Sequence, residues 1–196
     1  MKLLIIFFTL IFSDSLFAQE VIIKSQVGYG KIETDRSTLI SLCTNVTALY
    51  EFDSHTSLYW HAGIGVTKYM HQIIDTLNQQ GFKTIYIVIL PITARKYFFL
   101  NSTARCFIDM GLVGSYYLLD KVEVKKPTAT LNKKNSLGYN AGVAFSVGYK
   151  RAITSNIYFE LSFSGSTDYL FAYKNRQEKL KTNNRMLSIS FSKKLS

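Results

Sequence analysis

The sequence between Leu137 and Tyr169 alternates with a period of two, and this pattern constrains the fold more than any other feature. Apolar residues take every second position, and small or polar residues take the positions between them. Alternation of this kind is typical of β-strands, because successive side chains of a strand point to opposite faces. A polar turn interrupts the pattern once, so the stretch predicts two antiparallel strands in a hairpin.

The two faces of this hairpin indicate which medium each one contacts. One face is apolar and holds Leu137, Tyr139, Ala141, Val143, Phe145, Val147 and Tyr149, followed by Ile157, Phe159, Leu161 and Phe163. The other face is small and mostly uncharged and holds Gly138, Asn140, Gly142, Ala144, Ser146 and Gly148, followed by Tyr158, Glu160, Ser162, Ser164 and Ser166. A strand face in water would carry Lys, Glu and Thr. We therefore expect the small face to fill a crowded barrel lumen and the apolar face to contact lipid. A half-buried hairpin of a soluble sheet is the alternative.

The spacing of aromatic residues on the apolar face fits a bilayer. Tyr139 and Tyr149 are ten positions apart, and Phe159 and Tyr169 repeat the interval. Ten residues span about 33 Å along a strand. A tilted strand of this length crosses roughly 25 Å, the height of the apolar band between the aromatic girdles of an outer-membrane barrel. Each pair would place one ring at each membrane interface.

The rest of the chain repeats the alternation and predicts an all-β fold. The 13 Tyr, 14 Phe and only 2 Pro among 196 residues favour β-structure. The predicted strands are Val21–Gly30, Leu39–Phe52, Leu58–Met70, Thr84–Lys96, Ala104–Leu118, Leu137–Tyr149, Ile157–Tyr169 and Asn184–Leu195. Connections after the second, fourth and sixth strands are short, and those after the third, fifth and seventh are longer, as in barrels with short periplasmic turns. We expect one eight-stranded antiparallel up-and-down transmembrane β-barrel.

Two segments depart from the regular pattern. The fourth strand is apolar on both faces at its start, and Pro91, which lacks a backbone N–H, predicts a bulge or a locally broken ladder there. The segment His71–Lys83 is predicted to be a longer connection that could hold one or two helical turns.

The N-terminal segment has the features of a secretory signal peptide. Met1–Ala18 contains Lys2, an apolar run from Leu3 to Phe12 that is too short to span a bilayer as a helix, and an acceptable cleavage site at Ala18. We expect residues 1–18 to be removed and residues 19–196 to form the barrel. A buried N-terminal strand or an anchor helix is the alternative.

Four segments resemble one known family. The strands LYWHAGIGVTKY, YIVILPITARKYF, FIDMGLVGSYYLL and LGYNAGVAFSVGY are similar to successive strands of the outer-membrane β-barrel domain family of Bacteroidota, the PorT-like group. The resemblance covers roughly residues 20–195. It implies a barrel in the bacterial outer membrane, leaves open a link to a secretion assembly, and supplies no catalytic residues. The chain departs from many outer-membrane barrels in ending with Lys194-Leu195-Ser196 rather than with an aromatic residue.

Charged residues on the predicted luminal face must be paired, because an eight-stranded barrel has an interior filled by side chains. These residues are Lys24, Glu51, Arg95, Arg105, Asp109 and Glu160. Arg105 and Asp109 are four residues apart on one strand, about 13 Å, so they cannot pair directly. Glu160 is a candidate partner for Arg105. We expect a structural salt-bridge network rather than a conduction path.

Basic residues concentrate in two predicted loops, Leu119–Ser136 and Ala172–Asn183. They are Lys121, Lys125, Lys126, Lys133 and Lys134 in the first loop and Lys174 and Arg176 in the second. The formal net charge is +10. Export makes nucleic acid improbable as a partner, so the charge indicates anionic outer-membrane lipid, in particular lipopolysaccharide, or an envelope protein partner. A merely solvated loop surface is the alternative, and we expect a monomer.

No residue pattern indicates catalysis, a cofactor or a metal site. Cys43 and Cys106 fall on opposite predicted faces, which disfavours a disulfide. The three histidines, which lack metal-binding spacing, are His55, His61 and His71. A lipid-modifying enzyme would need a histidine near the outer rim, such as His71 with Ser115 or Ser166. An exported soluble barrel that binds a small apolar ligand, as lipocalins do, is the other alternative to a structural or surface-interaction role.

Overall fold

The computed structural model is a β-barrel and describes residues 19–33, 38–53, 58–74, 80–124, 130–133, 138–172 and 181–195. Its strands are β1 (Glu20–Glu33), β2 (Thr38–Asp53), β3 (Leu58–Ile74), β4 (Gln80–Phe99), β5 (Ala104–Val124), β6 (Thr130–Lys133), β7 (Gly138–Ala152), β8 (Ile157–Ala172) and β9 (Lys181–Lys194). The predicted signal peptide, residues 1–18, lies outside the described residues. No helix within the described ranges has the length and hydropathy needed to cross a membrane.

The strands form one closed antiparallel sheet. They follow the order β4-β3-β2-β1-β9-β8-β7-β5, and an additional pairing of β4 with β5 closes the circle. The short strand β6 pairs with Asp120–Glu123 near the C-terminal end of β5, past the part of β5 that pairs with β7. The predicted eight-stranded antiparallel barrel is therefore confirmed, and the sixth, seventh and eighth predicted strands are β7, β8 and β9.

The two faces of the sheet have the predicted orientation. Phe145, Leu161 and Ile189 point outward, with exposed fractions of 50%, 42% and 46%. The adjacent polar residues Ser146 and Ser162 are buried in the lumen. The barrel therefore has an apolar exterior and an interior that holds many buried polar side chains, whereas a soluble barrel exposes its polar face to water.

Several strands extend further than the alternation predicts. The expected connection His71–Lys83 is mostly strand, because β3 and β4 remain paired from His71↔Lys83 out to Ile74↔Gln80. The helical turns predicted there are wrong for Ile73 and Ile74, which lie in β3, and for Gly81, which lies in β4; residues 75–79 are outside the described residues. β5 likewise runs on to Val124. Backbone pairing with a neighbouring strand prolongs these elements after the side-chain pattern has faded.

Pro91 breaks a ladder but does not form a bulge. The β3–β4 pairing passes from Ala62↔Ile92 to Gly65↔Ile89 without a change of register. The interrupted positions on β4 are Pro91 and its neighbour Leu90. This is the expected effect of a missing N–H. The register of β4 shifts instead between Tyr86 and Ile87, where a β-bulge interrupts its pairing with β5; a second register shift lies between Asn140 and Ala141, in the pairing of β7 with β8.

Close approach of two strands explains one luminal glycine. A Cβ atom at Gly142 would overlap the carbonyl group of Thr167 on β8. Only glycine fits here without moving backbone, in agreement with the small luminal face predicted for this strand.

Candidate functional site in the barrel lumen

The lumen contains a layer of paired charges in the half nearer the chain termini. Arg95 on β4 donates through Nε and Nη2 to the two carboxylate oxygens of Asp109 on β5, at 2.6 and 3.0 Å. Its Nη1 donates to Glu160 on β8 at 2.9 Å. The guanidinium also stacks on the Phe107 ring, 3.7 Å from its centroid. One arginine therefore joins three strands across the lumen.

Lys150 on β7 is the second cation of this layer. Its Nζ lies 2.5 Å from Oε1 of Glu20 on β1 and 3.2 Å from Oε1 of Glu160. It also donates to the hydroxyl of Tyr97 at 3.2 Å. Lys150 is fully buried, so these contacts replace its hydration. Unpaired, an ammonium at such a depth would be very costly.

Tyr97 links the cations to a fourth carboxylate group, that of Glu51. Its hydroxyl donates to Oε2 of Glu51 at 2.6 Å and accepts from Arg95 at 3.1 Å. The same Glu51 oxygen lies 2.8 Å from Nε2 of His61. We call the set Glu20, Glu51, His61, Arg95, Tyr97, Asp109, Lys150 and Glu160 the charged layer.

The cations around the charged layer match its acids in number. The four carboxylates are Glu20, Glu51, Asp109 and Glu160, and Arg95 and Lys150 lie among them. Lys24, on the cavity side, and Arg105, on the termini side, bring the cations to four. The formal charges of the four carboxylates and the four cations therefore balance, which suits an interior with little access to water.

The sequence-predicted luminal residues Lys24, Arg105, Asp109 and Glu160 occupy this region, but with different partners from those expected. Glu160 pairs with Arg95 and Lys150 rather than with Arg105. The guanidinium of Arg105 lies over the Tyr97 ring, 4.2 Å from its centroid, and 5.4 Å from that of Tyr158. Lys24 makes none of the ion pairs found among the described residues and lines a cavity.

A second, apolar layer fills the half of the lumen farther from the termini. Its buried members are Ile32, Cys43, Tyr69, Ile85, Ile87, Tyr117 and Met186. This layer explains why β4 begins apolar on both faces, since its luminal isoleucines pack here. Beyond it, Asp168 accepts hydrogen bonds from the side chains of Ser115, Tyr117 and Asn140 and from the backbone N–H of Thr182.

A cavity of about 80 Å³ lies between the two layers. Its polar lining includes Lys24, Thr47, Thr67, Thr93, Asp109 and Ser146. Since a water molecule occupies about 30 Å³ in the liquid, the space suits a few waters. The lumen is therefore filled by side chains on both sides of this small cavity.

Three members of the charged layer were missed by sequence reasoning. Lys150 continues the small face of β7 two residues past Gly148, and Glu20 similarly extends the luminal face of β1. Tyr97 fell in a predicted connection, although it lies two residues past the luminal Arg95. Extending each alternation by one step would have found all three.

The predicted basic loops lie largely outside the described part of the chain. Lys121 on β5 pairs with Asn132, and Lys133 on β6 pairs with Asp120, through the backbone ladder that extends the β5 hairpin. Five of the predicted basic residues are outside the described residues, namely Lys125, Lys126, Lys134, Lys174 and Arg176.

The structure does not bring together the residues that were considered for a disulfide or for catalysis. Cys43 and Cys106 are both free, the first buried in the apolar layer. His71 contacts the carbonyl of Ile40 through Nδ1, whereas Ser115 donates to Asp168. The hydroxyl of Ser166 accepts from Asn184. Among the side chains described, no three His, Cys, Asp or Glu residues form a group that could hold a metal ion.

Comparisons with known proteins show a likeness of fold. Neisserial surface protein A is 13% identical, with a match covering 89% of this chain and 97% of that chain at a TM-score of 0.54. The outer membrane protein OprG from Pseudomonas aeruginosa is 12% identical, covering 91% of this chain and 96% of that chain at a TM-score of 0.53. No family model matches the chain, and no curated protein matches it. At these identities the likeness establishes the closed antiparallel barrel.

Proposed function

We propose that the chain is an exported protein that spans the bacterial outer membrane with its eight long strands. The observation that carries the proposal is the distribution of side chains on the barrel. Large apolar residues are exposed around its whole outside, while the inside holds buried serines, threonines and paired charges. A protein in water would expose this apolar surface at a large cost in free energy, whereas in a bilayer it contacts hydrocarbon. The fold likeness to Neisserial surface protein A and OprG supports the same location.

The filled lumen favours a structural or surface-interaction role over that of a general porin. Both the charged layer and the apolar layer cross the lumen, so a solute would have to displace side chains from each. The working surface is then the end of the barrel opposite the termini, where Lys121 of β5 and Lys133 of β6 lie. Anionic lipopolysaccharide or an envelope protein is the partner that this charge fits.

The side-chain distribution also bears on the two alternatives. A soluble barrel that binds an apolar ligand needs an apolar pocket of the ligand's size. The cavity here has a volume of only about 80 Å³, and its lining mixes the apolar Leu49 and Val113 with the charged Lys24 and Asp109. A lipid-modifying enzyme needs an activated nucleophile, and the hydroxyl of Ser115 donates to Asp168 rather than to a histidine. Membership of the PorT-like group and a link to a secretion assembly rest on the resemblance of strands β3, β4, β5 and β7 to that family.

The experiment that tests the proposal is fractionation of cells that express the full chain. We expect the protein in the outer-membrane fraction, extractable only with detergent and migrating faster on gels when the sample is not heated. Recovery in the soluble fraction without detergent would overturn the proposal. Mass spectrometry of the recovered protein would show whether its N-terminus is Gln19, as cleavage after Ala18 predicts.

A further inference from the structure

Charges on the termini-side half of the barrel are segregated by sign. Every carboxylate there whose side chain the structure describes is buried in the lumen, namely Glu20, Glu51, Asp109 and Glu160. Basic residues on the same half are exposed, among them Arg151, Lys193 and Lys194. The outer surface around Arg151 and Lys193 is therefore positive, with no described carboxylate beside it.

Two of these cations flank one strand on the lipid-facing side. Arg151 is the outward residue of β7 opposite Phe159 of β8, and Lys193 is the outward residue of β9 opposite Ile157 of β8. Strand spacing places the two Cα atoms about 12 Å apart, so their long side chains can meet above β8. In the part of the chain that the structure describes, neither has an ion pair or a side-chain hydrogen bond.

An apolar track starts at this basic pair and runs toward the middle of the barrel. Phe159 and Phe191 are cross-strand neighbours whose ring centroids lie 5.6 Å apart at an angle of 60°. Leu161 and Ile189 form the next outward pair and are both exposed. The surface thus offers two cations at the level of a membrane interface and aromatic and aliphatic side chains along the hydrocarbon below them.

We propose that Arg151, Lys193 and the Phe159–Phe191 ring pair form a binding site for an anionic phospholipid of the termini-side leaflet. The phosphate lies between the two cations above β8, and one acyl chain follows the rings toward Leu161 and Ile189. Charge complementarity selects the head group, because the exposed cations lack acidic neighbours. This inference rests on the proposed membrane-spanning role and adds a lipid ligand on the side away from the basic loops.

Native mass spectrometry of the full chain, refolded in a neutral detergent, tests the site. Phosphatidylglycerol and phosphatidylcholine of the same chain length are added in parallel. The wild type should retain phosphatidylglycerol in preference to phosphatidylcholine. The double variant Arg151→Gln/Lys193→Gln should lose roughly tenfold in apparent affinity for the anionic lipid, because each cation contributes to attraction of an anionic head group.

A matched double variant separates a site from a general charge effect. Lys68→Gln/Lys96→Gln removes the same charge from outward positions on β3 and β4 and should leave phosphatidylglycerol binding unchanged. The charge-conserving variant Arg151→Lys/Lys193→Arg should bind as the wild type does. Equal losses in the two Gln variants, or equal retention of the two lipids by the wild type, would overturn the site.

The same samples distinguish failure of this inference from failure of the proposed function. Faster migration of unheated protein on gels reports a folded barrel in each variant. A folded, detergent-dependent barrel without lipid preference refutes the site alone. A protein that is soluble without detergent refutes the membrane-spanning role, and the lipid site with it.

Discussion

Arg95 and Asp109 face each other directly across the β4–β5 ladder that closes the barrel, and two parallel hydrogen bonds of 2.6 and 3.0 Å join their side chains. A bidentate pair of this kind has a defined geometry. Because the same guanidinium also binds Glu160, the closing strands β4 and β5 are tied to β8, two strands beyond β5 around the barrel. This connection makes Arg95 the central residue of the charged layer.

Replacing Arg95 with methionine should destabilise the barrel strongly. Arg95→Met leaves Asp109 and Glu160 buried without their main cation, and loss of one partner of a buried ion pair typically costs about 3–5 kcal/mol. Urea unfolding in lipid vesicles, followed by the fluorescence of Trp60, the single tryptophan, measures this loss.

Arg105→Met is the matched control for that variant. Arg105 stacks on Tyr97 and makes no ion pair among the described residues, so its removal should cost about 1 kcal/mol or less. If both variants lost the same stability, the charged layer would not have the role assigned to it.

Substitutions at neighbouring positions of β8 test the orientation of the sheet. Leu161→Arg places a charge on the apolar exterior, which contacts lipid in the proposed membrane-spanning role, and should cost roughly 2–4 kcal/mol in a bilayer. Ser162→Ala should cost little, because the buried Ser162 hydroxyl has no hydrogen-bond partner to lose. Similar unfolding free energies for the two variants would contradict an apolar exterior facing lipid.

The lumen should conduct poorly because it is filled at two levels. We expect no large, steady conductance for the wild type in planar bilayers, and none for Arg95→Ala, since the apolar layer remains. Removing a large side chain from each layer, as in Arg95→Ala/Tyr117→Ala, should raise the frequency of openings. A large stable conductance in the wild type would contradict the filled interior.

Alanine substitutions at two glycines test whether the close packing of neighbouring strands requires glycine at each position. Gly142→Ala forces a methyl group against the carbonyl of Thr167 and should cost about 1–3 kcal/mol, as overpacking does. At Gly114 the nearest atom to an added Cβ is 3.8 Å away, so Gly114→Ala should be neutral or slightly stabilising. Unfolding midpoints of the two variants in the same vesicles make the comparison.

Thiol labelling distinguishes the two cysteines. Cys43, which is fully buried beside Met186, should resist maleimides in the Cys106→Ser variant until the barrel unfolds. In the Cys43→Ser variant, Cys106 on the outer face should react with a membrane-permeant maleimide and far less with a charged one. Rapid reaction of Cys43 with the charged reagent would show that the apolar layer is open to water.

Alternation in the sequence was sufficient to predict the strands and their faces, because the period of a strand is a local property. Ser162 and Leu161 are buried and exposed as their parity requires. Ion-pair partners were not predictable in the same way. Whether Glu160 meets Arg95 or Arg105 depends on the relative register of β4, β5 and β8, and that register is set by closure of the whole sheet.

The position of the bulge in the β4–β5 pairing also could not be predicted from the local sequence. Pro91 has a local cause, the absent N–H, and its effect on the β3–β4 ladder was predictable from the sequence. The bulge between Tyr86 and Ile87 has no such signature, since both residues favour strands and only the pairing with β5 forces the change of register. The lengths of β3 and β5 also depended on partner strands rather than on their own residues.

The seam between the first and last strands bears on biogenesis. Every residue of β1, from Glu20 to Glu33, is matched with one of β9, from Lys194 to Lys181. The earliest strand thus cannot complete its backbone hydrogen bonds until the latest one has been synthesised. Hydrocarbon offers no water to satisfy an open edge, so piecemeal insertion would be prohibitive. In the proposed membrane-spanning role, closure of this seam therefore has to follow the synthesis of β9, the strand that ends at Lys194.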